Sequence, residues 1–216
     1  MSRRAFELYA LLAPAILAPA ALALWWRSYG QWGPALVAWG VPIAWAYIVP
    51  GVGTNLLKVW EFDVERKLGR FRPQHGFVFG SASAALAWLV HRPSHGLFEC
   101  LCQALIFACV LGIVNLIYDV AALRSGILRV YNEPWAAGES PEAIALDYSL
   151  WFFGGFGGAY GLCLGLLEWL HPAVSWMLFL KMLAVTIAVP VLGYALQSRR
   201  RHGHWGIRPT PKRSRE

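Results

Sequence analysis

Residues 97–123 read LFECLCQALIFACVLGIVNLIYDVAAL, an apolar run in which only Glu99 and Asp119 carry charge. It exceeds the roughly 20 residues that an α-helix needs to cross the hydrocarbon core of a bilayer. In lipid every backbone polar group must be satisfied within the segment, so the run predicts a membrane-spanning helix. Similar runs, bounded by charge, Pro or Gly, lie at 6–26, 33–57, 76–91, 143–168 and 173–196. The predicted fold is all-α: a polytopic integral membrane protein of about six transmembrane helices. Residues 1–196 form one transmembrane helical domain, and 197–216 read as a disordered basic cytoplasmic tail. The third run is short and reads as tilted in from Phe71 or partly re-entrant.

Composition points the same way, with 57% hydrophobic and 14% charged residues, where an average soluble domain carries about 25% charged residues. A net charge of +7 raises nucleic acid as a partner. The charge, however, sits at the ends of the apolar runs, which is a topology signal and predicts no nucleic-acid partner. With six alternating runs, all 19 Lys and Arg residues except Arg27, Arg92 and Lys181 fall on one side. The positive-inside rule places that side, with both termini and the loops 58–75 and 124–142, in the cytoplasm. A bacterial inner membrane is the predicted location, with membrane lipids as the surroundings and partners.

Other features are read structurally. Cys100, Cys102, Cys109 and Cys163 lie in apolar runs without zinc or redox spacing, and are predicted to be buried thiols. Ser2-Arg3-Arg4-Ala5-Phe6 resembles a twin-arginine signal, but the long apolar core and Glu7 favour a retained helix. In the fifth run the overlapping G-x-x-x-G spacings from Gly154 to Gly165 let two helix backbones approach closely. They serve packing within a subunit or, alternatively, contact with a second copy or with other subunits of a membrane complex. Trp39, Trp45 and Trp88 lie deep enough to flank a flat or polyene ligand.

Ionisable residues inside a membrane cost about 2.5–3.5 kcal/mol each on insertion scales, so they are functional candidates. Asn115 and Asp119 share a face of the fourth run, with Asp147 near the start of the fifth and Glu61 ending the second. At similar depth they predict one catalytic pocket opening to the cytoplasm, in which Asn115 orients the acids. Arg124, Arg129 and Tyr131 adjoin it as substrate-binding candidates. Arginines beside carboxylates suit a phosphate head group, directly or through a magnesium ion held by the acids. Alternatively, a carboxylic acid kept neutral by an apolar pocket can hand its proton to an isoprenoid or other lipid. At the other face His95 and Glu99, spaced i, i+4, and Glu168 and His171, spaced i, i+3, form a candidate transition-metal set. Lys181 lies within the sixth run, with Gln103 as a predicted partner.

Asn115-Leu-Ile-Tyr-Asp119 resembles part of the first aspartate-rich motif of the membrane prenyltransferases of ubiquinone synthesis. The resemblance covers five residues; Leu123 stands where the following aspartate is expected and the chain is too short for that fold, so the family is not assigned. The leading expectation is an enzyme acting on a lipid or isoprenoid at the cytoplasmic leaflet. A transporter or accessory subunit of a membrane complex is the alternative, and a metal-binding outer-face protein the third.

Overall fold

The computed structural model describes residues 3–212. Its elements run α1 (Arg3–Tyr29), α2 (Trp32–Leu56), β1 (Trp60–Phe62), α3 (His75–Val90), α4 (Leu97–Arg124), β2 (Leu128–Val130), α5 (Glu133–Ala136), α6 (Pro141–Leu170) and α7 (Trp176–His202). Apart from the short β1–β2 ribbon the fold is helical. Among the described residues five helices, α1, α2, α4, α6 and α7, are long and apolar enough to cross a membrane. The third predicted run, α3, is apolar but only 16 residues long, about 24 Å of helix against a hydrocarbon core of about 30 Å.

Local sequence explains the breaks. In α1, Pro14 removes a backbone donor, and the helix widens to π-type bonding over Ala13–Leu17. Similar wide turns occupy Val52–Leu56, just after Pro50, and Leu150–Gly155. α6 starts where Ser140 caps it, accepting a bond from the Ala143 N–H at 3.3 Å with Pro141 in the first turn.

Each long helix sorts its apolar residues between two neighbours, protein and surroundings. In α4, Cys100, Gln103, Phe107, Leu111 and Asn115 are buried at helical spacing, while Leu101, Leu105, Ile113 and Ile117 are exposed. A stripe of exposed aliphatic side chains of this length is the mark of a surface that meets lipid or another protein. The buried stripe packs on the glycines of α6. A Cβ at Gly157 would lie 2.5 Å from the Phe107 carbonyl oxygen, at Gly161 2.8 Å from that of Gln103, and at Gly165 2.9 Å from Cys100 Cα. The glycine face is therefore used within the chain, covered by α4. All four cysteines are free; Cys100 is buried as predicted, but Cys109 lies on the outward face of α4, because its helical register puts it opposite the glycine contact.

The two polar loops come together as the antiparallel ribbon, with Trp60 opposite Val130, Glu61 opposite Arg129 and Phe62 opposite Leu128. Three-residue strands are too short to show alternation, which is why the sequence reads there as loop. Arg72, itself buried, donates to the Phe6 carbonyl at 3.3 Å and fixes α1 to the loop before α3.

The tail departs from its predicted disorder. α7 continues past 196 to His202 and stops at Gly203, whose φ of 79° ends the helix. The chain then lies back on the ribbon: the Thr210 N–H donates to the Tyr131 carbonyl at 2.9 Å, and Lys212 sits over the Trp135 ring. Loss of hydropathy at Arg199–Arg201 marks the end of the apolar run, not of the helix. Residues 213–216 of the predicted tail lie outside the described residues.

Candidate functional site

Where α4 passes the start of α6, Tyr148 Oη donates to Asp119 Oδ2 at 2.6 Å. Asp119 keeps part of its surface exposed, and it lines a cavity of about 170 Å³ between α2, α3, α4, α6 and the ribbon. One wall is a connected chain of rings. Trp45 stacks on Phe79 at 5.4 Å, Phe79 meets Phe153 at 5.7 Å, and Phe153 meets Tyr148 edge-on at 6.0 Å. Tyr148 lies 6.4 Å from Trp60, which in turn meets Phe152 edge-on at 5.1 Å. Four elements contribute to this wall.

The rest of the lining mixes aliphatic side chains, Val78, Ala82 and Leu86 of α3 and Val114 of α4, with Tyr9 of α1 and Tyr118 of α4, and the Tyr9 hydroxyl donates to the Val78 carbonyl at 2.6 Å. Val114 is 40% exposed and belongs to the outward strip of Ile113 and Ile117. The cavity thus opens through the apolar flank of α4. Among the described residues no Lys or Arg lines it, and His75 is its one imidazole. The His75 ring contacts those of Phe62 and Phe71; its backbone N–H donates to the Arg72 carbonyl at 3.1 Å, and among the described residues its imidazole has no hydrogen bond.

The structure divides the predicted catalytic group. Asp147 precedes Tyr148, and successive helix residues point about 100° apart; with Tyr148 turned to Asp119, Asp147 faces α7. There it accepts from Asn132 Nδ2 at 3.1 Å and Tyr194 Oη at 3.3 Å, with His202 Nε2 at 3.2 Å. Its side chain is only 5% exposed, so it holds the end of α7 and does not line the cavity of Asp119. Asn115 does line that cavity, but its Nδ2 donates to the Leu111 carbonyl at 2.8 Å and does not orient Asp119.

Glu61 lies on β1 with Trp60 turned inward, so strand alternation sends it outward. It meets Arg70 at 2.8 Å, Lys67 at 3.5 Å and the Tyr131 hydroxyl at 2.8 Å. The Tyr131 and Arg70 hydrogen bonds hold the Glu61 carboxyl below its ordinary pKa, while burial and the Glu61 charge push Tyr131 up. The predicted substrate arginines are spent on the surface. Arg124 pairs with Glu142, and exposed Arg129 lies 3.8 Å from Asp63. The predicted magnesium site does not fit, since Asp119 and Asp147 face different elements. Among the described residues no three His, Cys, Asp or Glu side chains cluster as metal ligands.

That applies equally to the outer quartet. His95, Glu99 and His171 are exposed, whereas Glu168, its side chain 9% exposed, is bonded to Tyr29 Oη at 2.6 Å, His91 Nε2 at 2.5 Å and the Ser94 N–H at 2.9 Å. Its oxygens are committed to closing one end of the bundle, beside an open cavity of about 780 Å³. Lys181 is exposed on α7, and Gln103 accepts from the Arg92 N–H at 3.2 Å, so the predicted pairing of these two does not form. Trp45 lines the Asp119 cavity, but Trp39 and Trp88 bolt helices through the Ala18 carbonyl and Ser28 hydroxyl.

A second apolar cavity, of about 220 Å³, shares Trp60, Val130 and Phe152 with the first and is covered by residues of the 204–210 segment. Sequence reasoning missed this pairing, and also missed Tyr148 and His75. Tyr148 carries a usable signal, because its hydroxyl is one residue from a candidate acid on an apolar helix. His75 has none beyond its position at the head of the third run. Comparison with known proteins finds no family model, no curated protein and no solved structure that matches the chain.

Proposed function

We propose that this chain is an integral membrane enzyme, crossing the bilayer about six times with both termini in the cytoplasm, that acts on a lipid or isoprenoid at the cytoplasmic leaflet. The observation that carries this reading is Asp119, held by Tyr148 in an aromatic cavity that opens through the apolar flank of α4 at Val114. A substrate dissolved in the bilayer reaches such a cavity without crossing water. Asp119 exchanges the proton with substrate, and Tyr148 positions its carboxyl. General acid–base catalysis by one group is worth about 10²–10⁴-fold in rate.

Purification in mild detergent, followed by mass spectrometry of the lipids that accompany the protein, supplies the test substrate. Conversion of a co-purifying lipid that falls at least 100-fold in Asp119→Asn supports the reading. Stoichiometric partner subunits, with full function of the complex carrying Asp119→Asn, would overturn it in favour of an accessory role.

A further inference from the structure

We infer that the Asp119 cavity recognises a positive charge carried on an apolar chain, either a permanent alkylammonium or a carbocation formed on an isoprenoid double bond. The inference concerns the same cavity as the proposed enzyme and specifies what the cavity binds. An uncharged chain needs only aliphatic walls, and part of the lining is of that kind, with Val78, Ala82 and Leu86. One wall is built differently, from six rings in contact drawn from four elements. Aromatic faces carry negative quadrupole charge and attract cations, most strongly where water is excluded.

Asp119 is the carboxyl of this wall, and its bond comes from the neutral hydroxyl of Tyr148. Among the described residues no Lys or Arg lines the cavity, and His75 forms no ion pair with Asp119. The acid and the rings therefore line one cavity together, and among the described residues the protein places no Lys or Arg there.

For a carbocation the chemistry balances within the cavity. Asp119 gives its proton to one alkene carbon, the π pair forms the new C–H bond, the adjacent carbon becomes positive, and Asp119 is left as carboxylate. Loss of a proton from a neighbouring carbon to His75 restores a double bond. The product is an isomer of the substrate, and exchange with solvent resets both groups without oxidant or reductant.

The test uses the full chain in phosphatidylcholine nanodiscs, with a diazirine-bearing dodecanol as photoprobe. N,N-dimethyldodecylamine should displace the photoprobe at about tenfold lower concentration than 1-dodecanol, and Asp119→Asn should lose that preference. Phe153→Leu, which keeps the wall apolar while removing one ring, should reduce it about threefold and serves if Asp119→Asn does not fold. Equal displacement by amine and alcohol, or a preference unchanged in the folded variants, overturns the inference.

A second arm separates the two sources of charge. Geranylgeraniol incubated with the protein in D₂O should acquire carbon-bound deuterium if the cation is made in place. Amine preference without deuterium assigns the site to an alkylammonium lipid. Lipid conversion without amine preference removes the cation site and leaves the enzyme reading standing. Amine preference without any lipid conversion does the reverse.

Discussion

Asp119 and Tyr148 form one hydrogen bond between two side chains on different helices, and their roles separate by substitution. Tyr148→Phe keeps the ring in the aromatic wall and removes the donor. A single hydrogen bond is worth about 0.5–1.5 kcal/mol, so conversion of the co-purified lipid should fall about tenfold, against at least 100-fold for Asp119→Asn. Asp147→Asn should leave the chemistry within about twofold, because Asp147 holds α7 and not the cavity. Glu61 predicts a pH effect of a definite sign. Its folded pKa is lowered by Tyr131 and Arg70, so its contribution to stability is complete above the unfolded carboxylate value of about 4.3. That contribution is lost as pH falls through the lower, folded value. Thermal melts in detergent should therefore show an acid-side loss of stability that is smaller in Glu61→Gln. The chemistry-bearing residue types were legible in the sequence, but their grouping was not. Asp119 and Asp147 look equivalent along the chain, and only the 100° step between Asp147 and Tyr148 decides which of them meets the cavity.

Element by element, the apolar runs translate into helices, and the departures come where hydropathy is silent. The third run forms α3 as expected, yet at 16 residues it is shorter than the five long apolar helices. The glycine spacing of the fifth run finds its physical meaning in contact with α4. Gly161→Val would force a side chain onto the Gln103 carbonyl and Ala104 Cα; overpacking of this kind costs about 1–3 kcal/mol and should lower the melting temperature. Gly112→Ala is the control, since its Cβ would sit at an ordinary 3.5 Å from Gly154 Cα. The ribbon was invisible because each strand has only three residues. Its effect is nonetheless large: it turns Trp60 and Val130 into the partition between two cavities.

At the scale of the whole molecule, the tail binds together what the loops separate. Removal of 203–216 takes away the Thr210 bond to Tyr131 and the His204 contact with Glu133. Hydrogen exchange over 128–136 should then rise, with α4 and α6 unchanged. A reporter fused after Glu216 should be active only in the cytoplasmic configuration if the proposed orientation holds. The long apolar helices follow from the sequence by itself, because helix length and charge-free runs are one-dimensional quantities that the bilayer reads directly. The basic asymmetry that supports the proposed orientation is equally linear. The cavity is not. It depends on which face of each helix meets its neighbour, on wide turns that shift that face, and on a ribbon joining segments nearly 70 residues apart. Those are rotations and pairings between elements, and only the tertiary structure decides that Asp119 sits among rings while Asp147 and Glu61 bond to other elements and Arg124 and Arg129 form surface pairs.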